Sequence, residues 1–109
     1  MISVLNEQEF QKEVKDGEMV LVDFHAKWCG PCRMLDRVLI ELEPTIKIVK
    51  VDIDEAYELA TKYLVTSIPF LVVFVNGQEA GRLSGCPTKS GLVSFLESCK
   101  GKDHGTVCS

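Results

Sequence analysis

WCGPC, running from Trp28 to Cys32, places two cysteines on either side of a Gly-Pro dipeptide. Such a pair can bind a metal, staple a fold or carry chemistry, and its flanks decide between these. Upstream, MVLVDF (19–24) is an unbroken apolar run of the kind found in a strand covered on both faces. Downstream, Met34, Leu35, Val38, Leu39 and Leu42 recur at helical spacing between Pro31 and Pro44. Cys29 is thus expected at the mouth of a helix, with Pro31 suited to its first turn. There the unpaired N–H groups and the positive end of the helix dipole favour thiolate over thiol, and the thiolate is the attacking species in disulfide exchange. Cys32, three residues on, falls on the same side of the first turn and further inside, with Pro31 stiffening the loop between the two.

The rest of the chain alternates strands and helices. Ser3 to Leu5 reads as a first strand, and Asn6 as the cap of a helix carrying Phe10 and Val14, closed by Gly17. IKIVKVDI (46–53) is a further strand and Glu55 to Tyr63 a further helix. FLVVFV (70–75) runs into Asn76-Gly77, the strongest short hairpin signal, and QEAGRLS (78–84) returns from it. Thr88 is placed to cap a last helix whose Leu92, Phe95, Leu96 and Cys99 share one face. The order βαβαβαββα predicts a parallel core with right-handed crossovers and an antiparallel hairpin at one side, hence a mixed sheet. Residues 1–99 read as one domain and 100–109, which lack periodicity, as a mobile tail.

Composition narrows the function. With 109 residues, 46% of them hydrophobic and 26% charged, the chain can bury one core. A formal charge of −4 argues against a nucleic-acid partner. No stretch reaches the roughly 20 apolar residues of a membrane helix, and the N-terminus does not resemble an export signal, so a cytoplasmic protein is expected. Five cysteines is an odd number, which suits a reducing compartment, where a close pair is more often catalytic or metal-binding than structural. The pair supplies only two metal ligands, and Cys86, Cys99 and Cys108 form no second close pair, so a metal site fits poorly.

A strand leading into CxxC and then a helix reads as a redox motif. The five residues resemble the active site of the thioredoxin family. VDF at 22–24, Ile68-Pro69 before a strand, the Asn76-Gly77 hairpin and Gly85 before the last helix match that family in order across nearly the whole chain. The resemblance implies a thioredoxin fold, a central mixed sheet of about five strands flanked by about four helices. It also implies a dithiol reductant that opens protein disulfides, with no bound cofactor beyond its own Cys29-Cys32 disulfide. Electrons would arrive indirectly, from NADPH through a thioredoxin reductase of the flavoprotein class, the ferredoxin-linked class being the other route. Peroxiredoxins and ribonucleotide reductase are examples of the substrates it implies, and a monomer is the expected state.

The same resemblance assigns roles. Cys29 forms the mixed disulfide and Cys32 resolves it; Asp23, a carboxylate in an apolar strand, is the candidate acceptor of the Cys32 proton, the alternative being a solvated, inert carboxylate at the strand end, and Lys50 resembles the family's buried partner of it. Pro69 follows a cis peptide, and the backbone of Ile68 pairs with an extended substrate segment. Trp28, Gly30, Pro31, Ile53, Ile68, Pro69 and Gly85 surround the sulfur as a docking surface. A glutaredoxin shares the fold, but its chemistry favours a different dipeptide than Gly-Pro. A disulfide-forming oxidant would call for an exported chain, and a clamp in a larger assembly would not require both cysteines.

Departures from the family stand beside these. His25 occupies a position usually held by tryptophan or a small residue, and either faces Asp54 or is solvated. Arg37 replaces a proline that kinks the helix in many members, so a straighter helix is expected. The segment from Cys32 to Lys50 is about four residues shorter than usual, close to one turn of 3.6 residues. Phe70 replaces a threonine. Cys99 is expected in the core. Cys86, beside the docking surface, is either a passive small residue or an oxidisable thiol whose modification would block substrates.

Overall fold

The computed structural model describes residues 1–15 and 19–100. The expectations for Gly17 and for a tail beyond Lys100 therefore lie outside the described residues. Five strands form one sheet in the order β1-β3-β2-β4-β5: β1 (Ile2–Val4), β2 (Met19–His25), β3 (Lys47–Asp52), β4 (Phe70–Val75) and β5 (Gln78–Ser84). The first three are mutually parallel, and β4 and β5 run antiparallel at one side, which is the predicted mixed sheet. Among the described residues four helices accompany them: α1 (Glu7–Lys15), α2 (Gly30–Leu42), α3 (Tyr57–Lys62) and α4 (Lys89–Cys99).

The caps follow from the sequence. Asn6 Oδ1 accepts from the Glu9 amide at 2.9 Å while Glu9 Oε1 reaches back to the Leu5 amide at 2.8 Å, a reciprocal arrangement that satisfies two open donors at the start of α1. Thr88 Oγ1 accepts from the Gly91 amide at 3.1 Å and opens α4. In the hairpin, Asn76 and Gly77 have φ of 52° and 83°, the left-handed pair that a two-residue turn needs to match strand twist.

The pleat sorts β2 into two faces. Val20, Val22 and Phe24 join the core formed with Phe10, Val14, Leu59 and Phe74. Leu21 joins the opposite core, with Leu35, Leu39, Ile48, Leu71 and Leu92. By the period of two, Asp23 and His25 share the Leu21 face, the one α2 covers. Cys99 is buried on this side, packed so close to Gly81 that a Cβ there would stand 2.8 Å from its sulfur.

Two local readings are corrected. Met34 is 64% exposed and does not belong to the buried stripe of α2, which consists of Cys32, Leu35, Leu39 and Leu42. Helix α3 begins at Tyr57 rather than Glu55, because Asp52 Oδ1 accepts from the Asp54 amide at 2.8 Å and holds a tight turn ahead of it.

Candidate functional site

Cys29 is the N-cap of α2, with extended backbone, and Pro31 lies in the first turn. Its sulfur accepts from the Cys32 amide at 3.2 Å, so an open donor of the helix terminus points at it as the sequence predicts. Cys29 and Cys32 are joined as a disulfide, with Cα atoms 5.3 Å apart. Both are buried, at 5% and 3% exposed, so the expected gradient from an outer to an inner sulfur is slight in this oxidised state.

Around them lies an apolar rim. Ala26 packs with the two cysteines, and Ile53 and Ile68 pack against that group. Trp28 stands 67% exposed. Trp28, Ile53 and Ile68 line an open groove of about 330 Å3 together with Val65, Thr66 and Ser67, three residues the sequence reading did not single out. They are the segment just before Ile68, so extending the docking surface back along the chain would have found them. Gly30 and Pro31 are exposed beside the sulfurs, whereas Pro69 is buried. The Ile68-Pro69 bond is cis, and the Pro69 carbonyl accepts from the Gly85 amide at 2.9 Å, which ties the loop carrying Gly85 and the exposed Cys86 to this side.

The indole nitrogen of Trp28 donates to Asp54 at 2.8 Å. Of the two settings anticipated for His25, facing Asp54 or solvated, the first is taken by Trp28, and the second is met in part. His25 ends β2 half-buried, in register with Asp52, and burial together with the nearby Lys50 ammonium holds its imidazole below the ordinary range.

Behind the sulfurs the site turns polar. Asp23 is fully buried, in register between Lys50 on β3 and Leu71 on β4. Neither of its oxygens has a hydrogen-bond partner among the described residues, and the Lys50 ammonium stands 3.8 Å from one of them. Burial pushes the carboxyl up to about 7; Lys50 pulls it down and Asp36 raises it further. Lys50 makes its closer contact elsewhere, donating to Asp36 Oδ1 at 2.6 Å. Asp36 was missed in the sequence. The available signal was spacing, since residue 36 lies one turn beyond Cys32 and shares its face of α2. An open cleft of about 310 Å3 lined by His25, Ala26, Lys27, Cys32, Arg33, Asp36 and Lys50 brings the Cys32 sulfur and this charged group together.

Among the described residues no group of three or more His, Cys, Asp or Glu is arranged to hold a metal ion, and no helix is long and apolar enough to cross a membrane.

Comparison with known proteins agrees with this arrangement. The Thioredoxin family model matches residues 1–98. A thioredoxin of Chlamydia trachomatis is 40% identical over 99 residues, spanning 88% of this chain and 96% of its own. Thioredoxin 1 of a Nostoc species is 41% identical over 98 residues, 85% of this chain and 92% of its own. Among solved structures, a mutant thioredoxin of Halobacterium salinarum superposes with a TM-score of 0.85 at 34% identity, covering 89% of this chain and 88% of that one. The match runs from β1 almost to the end of α4 and encloses the paired cysteines, so the chain belongs to the thioredoxin family and is a thiol-disulfide oxidoreductase, a protein-disulfide reductase with Cys29 and Cys32 as its redox pair.

Proposed function

We propose that the protein is a cytosolic, monomeric dithiol reductant in which Cys29 attacks and Cys32 resolves. In the reduced form the Cys29 thiolate attacks one sulfur of a substrate disulfide. The Cys29–substrate bond forms, the substrate S–S bond breaks, and the first substrate sulfur leaves as thiolate. Asp23, directly or through a water, takes the Cys32 proton. The Cys32 thiolate then attacks Cys29, forming the Cys29-Cys32 disulfide and releasing the second substrate sulfur. The substrate gains two electrons and the protein loses them, to be recharged by a thioredoxin reductase.

The single observation that carries the reading is the Cys32 amide aimed at the Cys29 sulfur at the N-cap of α2, 3.2 Å away. Asp23 suits its role because a carboxyl with an affinity near neutrality can both accept and release a proton at working pH. Lys50, 3.8 Å away, keeps the ionised form accessible. Trp28, Ile53, Ile68 and the residues before Pro69 form an apolar groove with few charges to select partners, which suits a broad set of protein disulfides, peroxiredoxins and ribonucleotide reductase among them.

The test is reduction of insulin disulfides with NADPH and a thioredoxin reductase. Wild type should turn over, Cys29→Ser should abolish activity, and Cys32→Ser should accumulate a covalent mixed disulfide through Cys29. Persistent activity in Cys29→Ser, or adducts forming through Cys32 instead, would refute the assignment.

A further inference from the structure

Three strands of observation converge on Asp36. The first is competition: Lys50 donates to Asp36 at 2.6 Å but stands 3.8 Å from Asp23. One ammonium therefore serves two carboxylates and is committed to the outer one. The second is unequal solvation. The Asp36 side chain is 34% exposed and that of Asp23 is 0% exposed, so water stabilises the charge on the first and not on the second. The third is placement: Cys32 and Asp36 are one helical turn apart and line the same cleft as Lys50.

We propose that Asp36 is a positioning residue that holds Lys50 off Asp23 and so keeps the buried carboxyl from being neutralised by its ion-pair partner. The proposal rests on the reading of Asp23 as acceptor of the Cys32 proton, and it adds the group that tunes that acceptor. With Asp36 in place, Asp23 binds a proton readily, and the pH at which it hands one on follows from how much of Lys50 it receives. The other charged groups lining the cleft are His25 from β2, Arg33 from α2 and Lys27 from the loop before α2, and Asp52 at the end of β3 is the register partner of His25. Lys27 is paired at 3.6 Å with Glu55, and Arg33 donates to the Lys27 carbonyl at 3.0 Å, so neither is committed to Asp23. From β4 the register partner is the apolar Leu71, which leaves Lys50 as the one cation in ion-pair range of Asp23 among the described residues.

The experiment follows the Asp23 carboxyl carbon by NMR across pH in the oxidised full chain, where the joined cysteines do not titrate. Closing the Lys50–Asp23 gap of 3.8 Å to a direct contact should lower the Asp23 midpoint in Asp36→Asn by about one pH unit. Asp36→Glu, which keeps the competing charge, should leave the midpoint near the wild-type value. In a Lys50→Gln background, Asp36→Asn should move the midpoint by less than half as much, because there is no ammonium to release. A midpoint unmoved by Asp36→Asn, or moved equally with and without Lys50, overturns the proposal. The role of Asp23 is read separately, from the pH profile of single-turnover disulfide reduction. A profile indifferent to Asp23→Asn would remove Asp23 as acceptor even if its midpoint responds to Asp36.

Discussion

A buried carboxyl that prefers its proton should make the fold depend on pH in a calculable way. Folded, Asp23 titrates at about 7; unfolding returns it to water and to the ordinary value of 3.8. Between these values the native protein holds a proton that the unfolded chain has released, so raising the pH through this window favours unfolding. The contribution is fully present below the unfolded value and gone above the folded one. A gap of roughly three units corresponds to about 4 kcal/mol, of which about 2.5 kcal/mol falls between pH 5 and pH 8. That is a large share of the ~5–15 kcal/mol by which domains are stable. Asp23→Asn preserves volume and removes the titration. Its packing and hydrogen-bonding costs do not vary with pH, so they cancel when the two proteins are compared at two pH values. In urea unfolding of the oxidised proteins, the variant should gain about 2.5 kcal/mol on wild type between pH 5 and pH 8. A difference constant to within about 0.5 kcal/mol over that interval would show that Asp23 is ionised or solvated throughout, and the electrostatic account of the site would fall with it.

Other consequences are smaller and independent. Gly81→Ala would place a Cβ 2.8 Å from the Cys99 sulfur and 3.2 Å from Phe95; it should destabilise by about 1–3 kcal/mol in urea unfolding, and Cys99→Ala in the same chain should recover part of the loss. Leu64 is 73% exposed with φ of 58°, a left-handed conformation at the end of α3; Leu64→Gly should stabilise by about 1 kcal/mol, and a loss measured by thermal unfolding would contradict this. In the reduced protein, iodoacetamide should alkylate Cys29 with a pH midpoint below the ~8.5 of free cysteine, and a midpoint at or above that value would mean the helix terminus does not act on the sulfur.

Much of this architecture is legible in the sequence because local chemistry and global fold agree. Asn76-Gly77 demands a hairpin, Asn6 and Thr88 demand helix starts, and the β2 run demands a strand covered on both sides. The cysteine pair is equally plain, since strand, CxxC and helix leave Cys29 no place but the helix mouth. What was hidden depends on side chains meeting across elements. Met34 fits the apolar stripe by spacing, yet it is exposed while Leu35 beside it is buried. The onset of α3 shifts because the Asp52 side chain captures the Asp54 amide, a competition that propensity does not register. Trp28 reaching Asp54 and Lys50 reaching Asp36 span 26 and 14 residues of chain, and neither could be chosen over its rivals before the sheet register was known.

On the proposed mechanism the two sulfurs are governed by different parts of the molecule. Cys29 would draw its reactivity from backbone, through the Cys32 amide that points at its sulfur and the dipole of α2. Cys32, on the same proposal, depends on side chains, because its proton would pass to Asp23, whose carboxyl shares the Lys50 ammonium with Asp36. Attack should thus be robust to sequence change and resolution adjustable by it. Substitutions at 23, 36 and 50 should alter the lifetime of the mixed disulfide and its pH dependence while leaving the rate of its formation nearly unchanged. Stopped-flow measurement of both phases separates the two, and equal slowing of formation and resolution in Asp36→Asn would mean that the charged group acts on the helix terminus as well.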